Sequence, residues 1–298
     1  MSKWKIVADS GCDYRQLANL APNTEFISVP LTIQVGDEAF VDDAGLDIDH
    51  MMHVMETSKV AAGSACPSPQ AYQSAFEGAD HIIVLTITGG LSGSFNAARI
   101  ARDMYLEEHP EVQIHLIDSL SAGGEMDLLV DEINRLIGTG LDFPQVVEAI
   151  THYQNHSKLL FVLAKVDNLV KNGRLSKLVG TVVGLLNIRM VGEASAEGKL
   201  ELLQKARGHK KSVKAAFEEM KKAGYQGGRI VMAHRNNVKF FQEFSELVRH
   251  SFPAAIIDEV ATSGLCSFYA EDGGLLMGYE IEASVNSFQS NIYSHLNL

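Results

Sequence analysis

His81-Ile82-Ile83-Val84-Leu85-Thr86-Ile87-Thr88 runs into Gly89-Gly90-Leu91-Ser92-Gly93-Ser94 and then into Phe95-Asn96-Ala97-Ala98-Arg99-Ile100-Ala101-Arg102-Asp103-Met104-Tyr105. The apolar run from Ile82 to Ile87 lacks the alternation of a half-exposed strand. It suits a strand buried on both faces, as in a parallel sheet covered by helices. After the glycine-rich turn the apolar spacing is helical, with Ser92 or Ser94 expected to cap the helix.

Such a turn is suited to anions. The first N–H groups of a helix have no internal partner, and the helix dipole places partial positive charge there. Gly89, Gly90 and Gly93 remove Cβ atoms that would hold a ligand away, and the Ser92 hydroxyl adds a donor. A carboxylate or phosphate at the carboxyl end of a strand is the expected ligand. The alternative is a tight turn with capping serines and nothing more.

Outward from this stretch the same rhythm recurs. Lys5 to Asp13 reads as a strand ending in an Asp9-Ser10 turn, followed by a helical stretch from Tyr14 to Leu20. Ile27 to Val35 reads as a strand interrupted by Pro30. Asp47 to Met55 reads as a capped helix, and Gly63 to Pro69 as a loop before a helix from Gln70 to Phe76. In that loop Ser64 and Ser68 either cap the helix or, for Ser64, reach a shared pocket. Val112 to Ile117 ends at Asp118-Ser119, so three strand ends gather small polar groups on one edge. Helices from Gly124 to Gly138 and from Pro144 to Asn155 close this half near residue 157.

Beyond it the pattern changes. Leu159 to Leu163 reads as a strand, Asp167 to Ser176 as a helix with a glycine stop, and Ile188 to Glu193 with Leu200 to Ala206 as a hairpin. Helices from His209 to Ala223 and Val238 to His250 alternate with strands from Arg229 to Ala233, Ala255 to Val260 and Gly274 to Glu282. The fold class is therefore α/β with two α/β domains, residues 1–157 with a mainly parallel sheet and residues 158–298 with a mixed or antiparallel one.

Composition narrows the function. The chain has 298 residues, 46% of them hydrophobic, and a net charge of −12. That balance argues against a nucleic-acid surface and against charge-driven binding to anionic membranes. No apolar segment approaches the ~20 residues of a membrane helix, and the start lacks the apolar core of a signal peptide. A cytoplasmic protein is expected. Cys12, Cys66 and Cys266 are odd in number and far apart, so they read as reduced thiols.

Several motifs together resemble the DegV family. They are Asp9-Ser10-x-x-Asp13, Ser64-x-x-Pro67-Ser68-Pro69, Gly90-Leu91-Ser92-Gly93-Ser94-Phe95, Ile117-Asp118-Ser119, Asp167-Asn168-Leu169 to Gly173-Arg174-Leu175-Ser176, Gly198-Lys199-Leu200, and Ala206-Arg207 before a lysine-rich helix. The resemblance implies a fatty acid-binding protein that presents an acyl chain to a separate fatty acid kinase for acyl-phosphate formation and phospholipid synthesis. It implies no catalytic residue, no cofactor and no metal, only a long-chain fatty acid as ligand. Ser64 and Ser92, with neighbouring Ala65 and Gly93, would hold the carboxylate. Arg174, Arg207 and Tyr269 would lie near the head group or face the kinase, and residues 158–298 would cover the tail.

The sequence departs from the family where members commonly carry Gly-Thr-His-Thr-Gly-Pro-Gly. Here Cys266 to Gly274 lacks the histidine and proline, and Tyr269 stands nearest the histidine's place. Cys66 likewise replaces a common glutamine. A lipid carrier or regulator with no kinase partner is thus an alternative. Others are a serine hydrolase using Ser92 with His234, although a Gly-x-Ser-x-Gly elbow is incomplete, and a metal site at His50 and His53 beside Asp47 and Asp49. A nucleotide enzyme is disfavoured because phosphate-loop and dinucleotide fingerprints are missing.

Overall fold

The computed structural model describes residues 2–177 and 187–281. Strands β1 (Trp4–Asp9), β2 (Thr24–Val29), β6 (His81–Thr86) and β7 (Gln113–Asp118) form a parallel sheet in the order β2-β1-β6-β7. Successive side chains leave opposite faces. Val7, Ile82 and Val84 pack against helices α2 (Pro69–Phe76) and α3 (Ser94–Glu108), while Ile6, Ala8, Ile83 and Leu85 pack against α4 (Gly124–Gly138) and α5 (Phe143–Gln154). Burial on both sides is why Ile82–Leu85 is apolar without alternation.

A mixed sheet follows, in the order β10-β9-β8-β13-β11-β12. It comprises β8 (Ser157–Leu163), β9 (Ile188–Ala194), β10 (Leu200–Arg207), β11 (Ile230–His234), β12 (Ile257–Ala261) and β13 (Leu275–Glu280). Its pairs are antiparallel except β11 with β12. One face, with Leu160, Val162, Ile230 and Met232, packs on α7 (His209–Lys222) and α8 (Val238–Ser251). The other face, with Leu159, Phe161, Leu163 and Leu276, belongs to a separate apolar cluster that includes Cys266 and Ala270. A small antiparallel sheet of β3 (Thr32–Val35), β4 (Glu38–Val41) and β5 (Ala62–Ala65) packs with α1 (Ile48–Thr57) on Phe268 of α9 (Gly264–Ala270).

Helix α4 touches both large sheets, with β1 and β6 on one side and β13, β11 and β8 on the other. Its first turn crosses the mixed sheet at backbone contact. A methyl group on Gly124 would stand 2.5 Å from the Val231 carbonyl oxygen and 2.8 Å from that of Leu276, and one on Gly278 would strike the backbone of Glu125 and Gly124. Glycine is required at both positions by space.

Several expected elements are differently placed. Residues 14–20 are irregular instead of helical, because tertiary bonds hold that backbone: Asp13 N–H donates to Asp127, the Tyr14 hydroxyl to Asp131, and Ala21 N–H to Asn134. Pro30 divides two strands that enter different sheets, and the supposed loop at Gly63–Pro69 begins inside β5. Helix α6 (Asp167–Lys171) stops short of Ser176, with Gly173 at φ +72° and Arg174 N–H bonded back to the Leu169 carbonyl. Neither Ser92 nor Ser94 caps α3 from the N-cap position, which Gly93 holds. Glu282 lies outside the described residues.

Adding a methyl at the α4 crossing forces backbones apart in a close-packed interior. Gly278→Ala is therefore expected to lower unfolding stability by ~2 kcal/mol or more, read as the urea midpoint. An unchanged midpoint contradicts the backbone contact.

Candidate functional site

The carboxyl ends of β1, β6 and β7 meet at one edge, and their polar groups first satisfy one another. Asp9 is fully buried, and its carboxyl oxygens accept from the N–H groups of Ile87 and Gly11 and from the Ser94 hydroxyl. Burial pushes its pKa up to about 6 despite those bonds. Gly89 N–H donates to Asp118 at 3.0 Å, and Gly90 N–H to the Thr88 hydroxyl at 3.0 Å. Leu91 and Ser92 N–H groups both donate to the Thr88 carbonyl.

The amides from Gly89 to Ser92 are therefore engaged by Asp118 and Thr88. Gly90 makes room for the β9–β10 hairpin tip. A methyl there would collide with the Glu197 carbonyl oxygen, and the Thr88 hydroxyl donates to the Gly198 carbonyl at 2.9 Å. Gly93 is exposed, and a Cβ on it would stand 3.2 Å from the Cys66 Sγ. The Ser92 hydroxyl accepts from Ser94 N–H at 3.3 Å, a local bond that helps finish the helix end.

Beside this turn opens an apolar cavity of about 70 Å³. Leu91 and Ile87 line it from the parallel sheet's edge, Phe161, Leu163 and Leu276 from the mixed sheet, and Tyr269 from α9. Polar groups collect where Leu91, Arg174 and Tyr269 meet. The Ser64 Oγ lies 2.8 Å from the Tyr269 hydroxyl. The Arg174 guanidinium stands 5.8 Å from the Tyr269 ring centroid and donates to the carbonyls of Asn172 at 2.7 Å and Leu91 at 3.3 Å. Ser64 is held in register by the β3–β5 pairing with Ile33.

Of the residues singled out in the sequence, the structure brings together Ser64, Tyr269 and Arg174, with Ser92 following the Leu91 carbonyl that Arg174 holds. Ala65 is exposed at the end of β5. Arg207 is exposed at the far end of β10 from Leu200, seven steps of ~3.3 Å away, and is not among the cavity's lining residues. His234 uses both ring nitrogens elsewhere: Nδ1 accepts from Asn237 N–H at 3.2 Å and Nε2 meets Glu259 at 2.8 Å. A Ser92–His234 pairing is thereby ruled out in this arrangement. Asp47 caps α1, Asp49 pairs with Arg235, and among the described residues no group of three or more His, Cys, Asp or Glu is poised for a metal.

Sequence reading missed how α9, which carries Tyr269, is fastened. The buried carboxylate of Asp42 accepts from the N–H groups of Gly264 and Leu265 at 2.8 Å each and from Arg15 at 2.8 Å. Asp13 accepts from Ser263 N–H at 2.7 Å. Asp127 of α4 accepts from Asp13 N–H at 2.7 Å and from the Cys12 thiol. Acidic groups at a helix start complement its dipole and orphan donors. Lack of solvent raises Asp13 to about 6, and burial with the neighbouring Asp13 charge raises Asp127 well above the usual carboxylate range. Burial keeps Cys12 and Cys266 as thiols.

Comparison with known proteins agrees with this architecture. A family model described as an uncharacterised protein of the DegV family matches residues 3–280. The chain belongs to the DegV family. A DegV domain-containing protein of Streptococcus pneumoniae is 69% identical over 279 residues, covering 94% of this chain and 99% of that protein. The crystal structure of the S. pneumoniae Fatty Acid Kinase (Fak) B3 protein, loaded with linoleic acid, is similar with a TM-score of 0.93 and 68% identity, over 94% of this chain and 100% of that one. A DegV family protein from Eubacterium eligens, loaded with heptadecanoic acid, gives a TM-score of 0.90 at 36% identity, over 94% and 100%. Among the described residues no helix is long and apolar enough to cross a membrane.

The buried Asp13 and Asp127 beside α9 are expected to make stability depend on pH. Buried carboxyls with raised pKa hold protons that the unfolded chain releases near pH 4, so their contribution is full below that point and declines as pH rises through about 6. Asp127→Asn is expected to raise the melting temperature at pH 8 more than at pH 5. An equal shift at both values contradicts a strained, proton-holding Asp127.

Proposed function

We propose that this DegV protein binds a long-chain fatty acid between residues 1–157 and 158–298, in a tunnel that widens from this cavity as the tail enters, and presents its carboxylate to a separate fatty acid kinase. The observation that carries the reading is a cavity walled by aliphatic and aromatic side chains, with Tyr269 and Arg174 in its lining and the Ser64 hydroxyl on that of Tyr269. Fatty acids in the similar S. pneumoniae and E. eligens proteins support it, and the kinase name of the former supports the partner.

In this reading the tail supplies most of the affinity. Roughly sixteen carbons at ~0.8 kcal/mol each give about 13 kcal/mol before ordering and association costs. The head group must still be satisfied, because an unpaired carboxylate out of water is costly. Ser64 and Ser92 donate hydroxyl hydrogen bonds to it, with the Tyr269 hydroxyl beside Ser64 and Arg174 supplying charge. Ala65 and Gly93 add backbone close to the carboxylate. Arg207, exposed on β10, faces the kinase. The protein's part is to bind and orient, with transfer chemistry left to the partner, and the setting is the cytoplasm.

Leu163→Trp, which fills the cavity, is expected to abolish retention of fatty acid, whereas Ser92→Ala reduces it only a few-fold, about 1 kcal/mol for a lost hydrogen bond. Mass spectrometry of organic extracts from equal amounts of purified protein reads both. Equal acid content in wild type and Leu163→Trp, or none in wild type, overturns the reading.

A further inference from the structure

In the mixed sheet one aromatic ring packs directly on a glycine. Phe161 of β8 pairs across the ladder with Gly192 of β9. A methyl group on Gly192 would stand 2.5 Å from Cζ and 2.7 Å from Cε2 of the Phe161 ring, so the ring lies directly over the glycine. The neighbouring ladder slips between Leu202 and Gln204, beside the Leu202–Gly192 pair, and the Glu201 carbonyl oxygen crowds the same methyl position. A glycine beside a bulge marks a close approach within a sheet.

The ring has one direction in which to move. Phe161 is fully buried, packed in the cluster that includes Leu159, Met190 and Cys266, and it also lines the apolar cavity. Interiors are close-packed, so a ring displaced from Gly192 enters the cavity and not the surrounding core. We propose that Phe161 and Gly192 form a specificity-determining pair, which sets the length of acyl tail the cavity accepts by seating the ring in the notch that the absent side chain leaves. The proposal rests on the fatty acid reading and deepens it.

An aromatic ring covering a cross-strand glycine also steadies a sheet, so the test must separate selection from stability. Substitutions on the two sides do so, since Gly192→Ala presses on the ring and on the Glu201 carbonyl, whereas Phe161→Leu only trims the ring. Purified wild type and both variants, stripped of lipid, are equilibrated with an equimolar mixture of myristic, palmitic and stearic acids, re-isolated and extracted for mass spectrometry. The stearic-to-myristic ratio is expected to fall about ten-fold in Gly192→Ala and to rise in Phe161→Leu, in keeping with the tens-fold discrimination a methylene brings in an apolar pocket. A merely structural pair would lower occupancy or melting temperature in both without moving the ratio in opposite directions.

Retention by all three proteins with one unchanged ratio overturns the proposal while leaving fatty acid binding intact. Retention of no acid by wild type overturns the binding reading and the proposal with it. If Gly192→Ala does not fold, Phe161→Leu decides alone, and an unaltered ratio there is the overturning result.

Discussion

Everything in this fold leans on the place where the first turn of α4 crosses the mixed sheet with backbone against backbone. At Gly124 and Gly278 there is no room for a single methyl group. The crossing lets one helix serve two sheets: Leu128, Leu129 and Ile133 share a core with Ile6 and Ile83 of the parallel sheet and with Val231 of the mixed one. Such a helix cannot keep one polar face for water, and its buried acids are answered within the structure instead. Glu125 accepts from Ser157, Glu132 holds Arg135, and Asp127 binds the Cys12–Asp13 turn.

The cavity lies beside that crossing, with Ala122 and Leu276 in its lining, and Tyr269 of α9 closes its side. Asp42 and Asp13 reach from the N-terminal half to the start of α9, while Phe268 of the same helix fills the core of the small sheet. Tyr269 is therefore placed by groups far from it in sequence, and Ser64 meets it from β5 across a separation of 205 residues. The hairpin tip at Gly198, bonded to Thr88, also joins the two halves.

The alternating strands and helices were legible because their causes are local. Ile82–Leu85 is apolar on both faces, Asp47 accepts from His50 N–H as a cap should, and Gly173 ends α6 with a positive φ. Errors fell where distant partners decide. Tyr14–Leu20 has helical spacing, yet Asp127, Asp131 and Asn134 hold its neighbourhood otherwise. Ser64 looked like a loop residue because β5 is only four residues long and depends on β3 for its pairing. The glycines at 89 and 90 are spatial requirements, as foreseen, but what approaches them is Asp118 and the Glu197–Gly198 backbone. Nothing local to Phe161 or Gly192 announces that they touch.

Crystallography with a fatty acid brominated at its tail end tests the central assignment most directly, since anomalous scattering locates the bromine whatever the quality of the remaining density. A single strong peak within the cavity near Phe161, Leu163 and Leu276, with the carboxylate beside Ser64 and Tyr269, is the expected result. A peak only in the exposed groove between α7 and α8, lined by Lys214, Phe217 and Leu247, or no ordered bromine at all, would contradict it.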